Sequence, residues 1–135
     1  MLFSHLSIYD MILLFFRHYY KSILIGALIV WLSLSGGNSI MPGKFLNIPY
    51  IDKIGHFFMY MLFSGVLLLD SCHWQKNGRI YYSLLLIPLF FGALMEILQL
   101  LLTQSRKAEM LDLVADIAGI VTGIVFALIV KKLLR

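Results

Sequence analysis

Four apolar runs, each close to the ~20 residues an α-helix needs to cross a bilayer, leave this chain few ways to fold. They cover about residues 22–39, 51–72, 80–103 and 111–130. The breaks between them are short and polar. Gly36, Gly37, Pro42, Gly43, Asn47 and Pro49 mark the first, Asp70 with residues 73–79 the second, and Gln104 to Glu109 the third. A water-soluble domain of 135 residues needs a polar exterior, which 61% hydrophobic and 13% charged residues cannot supply. With a mean hydropathy of +0.90, the chain reads as an all-α integral membrane bundle of four transmembrane helices.

Residues 1–21 are apolar but interrupted by Ser4, His5, Ser7 and Asp10, and they end in Arg17, His18, Tyr19, Tyr20 and Lys21. This is the pattern of an N-terminal interfacial segment with a basic, aromatic cluster at headgroup level. A helix that starts early and runs straight into the first span is the alternative. The stretch before Ser33–Ser39 is too long and apolar for a cleaved leader, so the first span is expected to be retained. Residues 22–135 then form the four-helix domain. Pro88, inside the third run, predicts a kink.

Four spans place both termini and the second loop on one side. That side carries Arg17, Lys21, Lys76, Arg79, Lys131, Lys132 and Arg135, whereas the other carries only Lys44, Lys53, Arg106 and Lys107. By the positive-inside rule both termini are expected in the cytoplasm. The net charge of +4 therefore reads as topology and anionic-lipid contact. The basic residues sit at span ends and form no stripe interleaved with exposed aromatics, so nucleic-acid binding is not expected. Cys72 is the only cysteine, which leaves neither an intramolecular disulfide nor a thiolate metal site.

Against this apolar background two polar stretches need a reason. An ionisable side chain costs ~2.5–3.5 kcal/mol at the centre of a lone membrane helix and persists where it faces protein, a cavity or an interface. Asp52, His56 and Tyr60 recur at i, i+4, i+8 at the start of the second run, beside Lys53. Gly92, Glu96, Gln99 and Thr103 lie along one face near the end of the third, and Asp112, Asp116, Gly119 and Gly123 open the fourth. The inferred topology brings these three stripes to the same outer end, where they are expected to pack together, with Gly119 and Gly123 supplying GxxxG spacing. Arg106 belongs to the turn between the last two spans.

In this order, Asp52-Lys53, His56 and Tyr60, then Glu96 and Gln99, then Arg106, Asp112, Asp116, Gly119 and Gly123 resemble the VanZ-like family of small bacterial membrane proteins. The resemblance covers about residues 30–130. Many members carry Asn where this chain has Asp116, so the resemblance does not require a charge there. It implies a bacterial envelope protein, with a founding relative linked to low-level resistance to the glycopeptide teicoplanin, and it implies no established reaction.

Three chemistries fit the residues. His56 with Asp52, Asp112, Asp116 and Glu96 offers donor types that Zn or Mn accepts. Lys53, Arg106 and His56 can instead neutralise those carboxylates as an ion-pair network, so no metal and no cofactor is assigned. His56 beside a carboxylate also has the makings of a general acid–base pair, which leaves open whether a bond is broken. Ser64 and Cys72 lie too far along the second run to serve as nucleophiles beside His56.

The function expected is recognition or processing of a lipid headgroup or lipid-linked envelope precursor at the outer leaflet. Lys53 and Arg106 would meet its anionic group, Arg106 through its planar fork. The alternative is a structural or assembly role, in which the cluster locks the helices and a membrane partner protein or a second copy completes the unit. Proton-coupled transport is disfavoured because four short helices enclose little space.

Overall fold

A computed structural model describes residues 7–35, 49–71, 78–102 and 110–134, with the side chains of 78–85 left aside. Among these described residues the chain forms four helices and no strand: α1 (Ile8–Leu34), α2 (Ile51–Asp70), α3 (Gly78–Leu102) and α4 (Met110–Leu133). By length and composition α1, α2 and α4 can each cross a membrane, and α3 adds a shorter apolar stretch, Leu86–Leu102. The chain is a multi-pass membrane protein of the all-α class.

The first helix does not begin at Ser22. It starts at Ile8 and runs unbroken through the Arg17–Lys21 cluster to Leu34, so residues 8–21 are its opening turns. The reason lies at Ser7, whose hydroxyl accepts from the Tyr9 N–H at 3.4 Å while the Asp10 carboxylate accepts from the Ser7 N–H at 3.1 Å. This reciprocal cap fixes the start of the helix. At ~1.5 Å per residue α1 is about 40 Å long, which exceeds the ~30 Å hydrocarbon core.

α2 follows Pro49 and Tyr50, and Tyr50 adopts a left-handed backbone (φ 63°). For a bulky non-glycine residue that conformation costs roughly 1–2 kcal/mol, and it turns the chain directly into Asp52. Acidic Asp52 and Asp112 stand in the first turns of α2 and α4, and Lys131 and Lys132 in the last turn of α4. Both placements complement the helix dipoles. Pro88 lies inside α3, buried against its neighbours.

The most extensive helix contact joins α2 to α4, and small residues create it. A Cβ on Gly119 would overlap the Phe57 carbonyl oxygen, and one on Gly123 would overlap the Met61 carbonyl and the Ser64 hydroxyl. Gly65 faces Gly123 across the same seam, with 3.2 Å from its ideal Cβ position to the Gly123 carbonyl oxygen. The close approach lets the Ser64 hydroxyl donate to the Ile120 carbonyl at 3.1 Å. Without a hydrophobic drive between helices in lipid, such backbone proximity and interhelical hydrogen bonds are what hold them together.

Ile29, Tyr60, Phe63, Met95 and Ile120 form the main buried cluster, drawing on all four helices. Leu67, Leu68 and Ala127 form a second one farther along α2 and α4. Phe58, Leu62, Ile97, Leu101, Val121 and Phe126 point outward, which suits a surface solvated by acyl chains.

Two polar contacts fix which helix ends are neighbours. At one end the Asp70 carboxylate accepts from the Ser22 hydroxyl at 2.7 Å and the Ser22 N–H at 3.3 Å, with Lys21 Nζ at 3.8 Å. At the other, Gln99 Nε2 donates to the Ser33 carbonyl at 3.2 Å. The starts of α2 and α4 and the ends of α1 and α3 therefore share one end of the bundle.

Candidate functional site

At that shared end a ladder of polar side chains descends between α2, α3 and α4. Helical spacing makes Asp52, His56 and Tyr60 a single stripe that reaches about 12 Å along α2, at ~1.5 Å per residue. On α4, Asp112 and Asp116 are likewise one turn apart and face it. The top rung is Lys53, whose ammonium donates to Asp52 Oδ2 at 2.9 Å and to Asp112 Oδ1 at 3.0 Å. The lysine and Asp112 are largely buried, whereas the Asp52 side chain is 40% exposed. A cation shared by two carboxylates ties the first turns of α2 and α4 together.

One turn below, His56 Nδ1 and Asp116 Oδ1 share a hydrogen bond of 2.9 Å. Both are almost wholly enclosed, at 2% and 1% exposure. A turn deeper, the Tyr60 ring lies nearly parallel to the His56 ring, with 6.4 Å between centroids, and Tyr60 is fully buried. From α3, Glu96 is buried and joins them: one ligand-type atom each from His56, Glu96 and Asp116 lie within 4.8 Å of one another. The carboxylate on α3 therefore faces the bundle, as expected of a group that lipid would not tolerate.

Gly92, one turn before Glu96, lets this group pack closely against α3. An added Cβ there would come within 3.0 Å of Asp116 Oδ2 and 3.3 Å of Tyr60 Cε1. His56 Nε2, the Tyr60 hydroxyl and Asp116 Oδ2 are all buried without a hydrogen-bond partner among the described residues. The top of the ladder is thus closed by ion pairs, whereas its bottom holds polar atoms with unused capacity.

Of the residues singled out in the sequence, Asp52, Lys53 and Asp112 form the upper group, and His56, Tyr60, Glu96 and Asp116 the lower one. Gln99 ties α3 to α1. Arg106, like Thr103 and Cys72, lies outside the described residues. The sequence pattern places Asp70 in a polar turn, but in the fold it is the last residue of α2, buried at the opposite end with Ser22 and near Lys21. Its position at the last residue of an apolar run, opposite a lysine at the same level of the topology, was the available signal. The roles of Ser33, through its carbonyl, and Ser64 carried no such signal.

Imidazole, two carboxylates and a phenol in one dry site can hold a proton, hydrogen-bond a polar headgroup or coordinate a cation. No protein-family model, curated protein or solved structure matches the chain.

Proposed function

We propose that the protein acts in the bacterial inner membrane, with both termini cytoplasmic, where it recognises or processes an amphiphilic molecule at the outer leaflet. The polar head of a lipid or lipid-linked envelope precursor would meet the ladder from Asp52 to Tyr60, and the apolar helix faces would accompany its tail. One observation carries this reading. His56, Tyr60 and Asp116 keep buried polar atoms without partners among the described residues, each at a penalty of about 1–3 kcal/mol that an apolar replacement would avoid. A cluster that served only to lock helices would not need them.

The Lys53 bridge between Asp52 and Asp112 favours the second reading, a structural or assembly protein, because it ties the first turns of α2 and α4 together. Tyr60→Phe separates the two. In a purely structural cluster, removing a hydroxyl without a partner leaves stability unchanged or raises it by about 1 kcal/mol, and nothing else changes. In a recognition site the same variant stays folded but loses binding. The measurement is retention of a polyprenyl diphosphate by purified protein in native mass spectrometry, alongside thermal unfolding. We expect Tyr60→Phe to weaken retention several-fold with no loss of stability, and Arg106→Gln to weaken it more than Arg106→Lys, which keeps the charge but not the fork. Full retention by all three variants at normal membrane levels, with unaltered glycopeptide sensitivity of the host, would sink the recognition reading.

The orientation rests on the distribution of lysine and arginine, seven on one side against four on the other. A cysteine at Gln104 in a Cys72→Ser background should react with an impermeant thiol reagent on intact spheroplasts. Labelling only after the membrane is broken would invert the topology.

A further inference from the structure

We propose that His56, Glu96 and Asp116 form a binding site for one divalent transition-metal ion of the Zn or Mn type, a property that stands whether or not the protein handles an amphiphile. The three residues come from three helices, and their ligand-type atoms gather within 4.8 Å. His56 Nδ1 and Asp116 Oδ1 are 2.9 Å apart, close to the ~3.0 Å that separates adjacent ligands on an octahedral ion with ~2.1 Å bonds. An ion can replace the proton between them with little movement of α2 or α4. Glu96, on a long side chain, needs to close only a short remaining gap from α3.

Two further features point to a ligand at this place. Asp116 Oδ2 and the Tyr60 hydroxyl are at least 98% buried by residue and have no hydrogen-bond partner among the described residues. Asp116 Oδ2 and the Tyr60 ring both press against α3 at Gly92, where an added Cβ would lie only 3.0 Å and 3.3 Å from them, so both groups are held close to the helix that carries Glu96 one turn further on.

The lower group sets two carboxylates, Glu96 and Asp116, beside one imidazole, and a metal ion is one of the partners with which such charges are buried in a low-dielectric site. One imidazole and two carboxylates suit Zn or Mn better than Mg or Ca, which take oxygen ligands alone. Three protein ligands leave coordination positions open, as in catalytic sites and unlike closed structural ones.

The test uses the full chain purified in nanodiscs, stripped with chelator and titrated with ZnCl2, MnCl2 or CoCl2, with no amphiphile added. We expect one ion per chain by elemental analysis, a rise in unfolding temperature, and a visible cobalt spectrum with imidazole and carboxylate ligation. Glu96→Gln and Asp116→Asn, which retain volume and helical structure, should each weaken binding by more than about tenfold, since even outer-sphere partners of a metal contribute ~10–100-fold. Absence of stoichiometric binding overturns the proposal. So does equal binding by wild type and both variants, because the ion then sits elsewhere. Binding that persists while polyprenyl diphosphate retention fails leaves the metal site intact and rejects only the recognition reading.

Discussion

Gly119→Ala and Gly123→Ala are each expected to destabilise the folded bundle by roughly 1–3 kcal/mol, the range for overpacking a close-fitted contact, and together to abolish native packing. The added methyl has nowhere to go. At Gly119 it meets the Phe57 carbonyl and lies 3.1 Å from the Met61 nitrogen, and at Gly123 it meets the Met61 carbonyl and the Ser64 hydroxyl. Most of these obstacles are backbone atoms of α2, so no rotamer change can relieve them. Gly55→Ala is the control, because a Cβ there has nothing within 4 Å and alanine gains ~0.5–1 kcal/mol over glycine inside a helix. Equilibrium unfolding in mixed micelles checks the contrast. Equal stability of all three single variants would remove the glycine seam as the organising contact.

The second large effect concerns the buried pair. In chelator-treated protein His56→Leu leaves Asp116 without its imidazole partner, and Asp116→Leu does the reverse. Each single change should cost about 2–4 kcal/mol, because one uncompensated ionisable group is left among apolar helices. The double variant should be more stable than at least one of the singles, since both groups are gone. A double-mutant cycle on the same unfolding assay gives a coupling of ~2 kcal/mol or more if the 2.9 Å contact persists in the membrane. Additive losses would show that the two residues do not interact.

Much of this arrangement was legible in the sequence because membrane physics allows few alternatives. The apolar runs fixed α2 and α4 nearly to the residue, and the i, i+4 recurrence of Asp52, His56 and Tyr60 correctly placed them on one face. The spacing of Gly119 and Gly123 identified the tight seam. Legibility ended where partners depend on rotation about a helix axis. Lys53 neighbours the stripe rather than belonging to it, yet it bridges Asp52 and Asp112, because a long side chain reaches around the helix. Of the two readings of residues 1–21, the structure has the helix that starts early and runs into the first span: Arg17 to Lys21 resembles a membrane border, but the Ser7–Asp10 cap commits the backbone to a helix about three turns earlier. Asp70 was misjudged because a charge at the end of an apolar run looks like a loop residue until the lysine and serine of another helix arrive beside it.

The seam between α2 and α4 also sets an order of events during synthesis. The two helices that fit most closely are not consecutive, and α3 must enter the bilayer before α4 is made. Until Met110–Leu133 emerges from the ribosome, His56 has no Asp116, Lys53 has no Asp112, and the carbonyls of Phe57 and Met61 face no glycine. A nascent chain therefore passes through a stage in which its second helix shows a polar stripe to lipid or to the insertion machinery. Completion of the fourth helix both covers that stripe and clamps it, so the two outer partners of the seam meet only after the helix between them has been made.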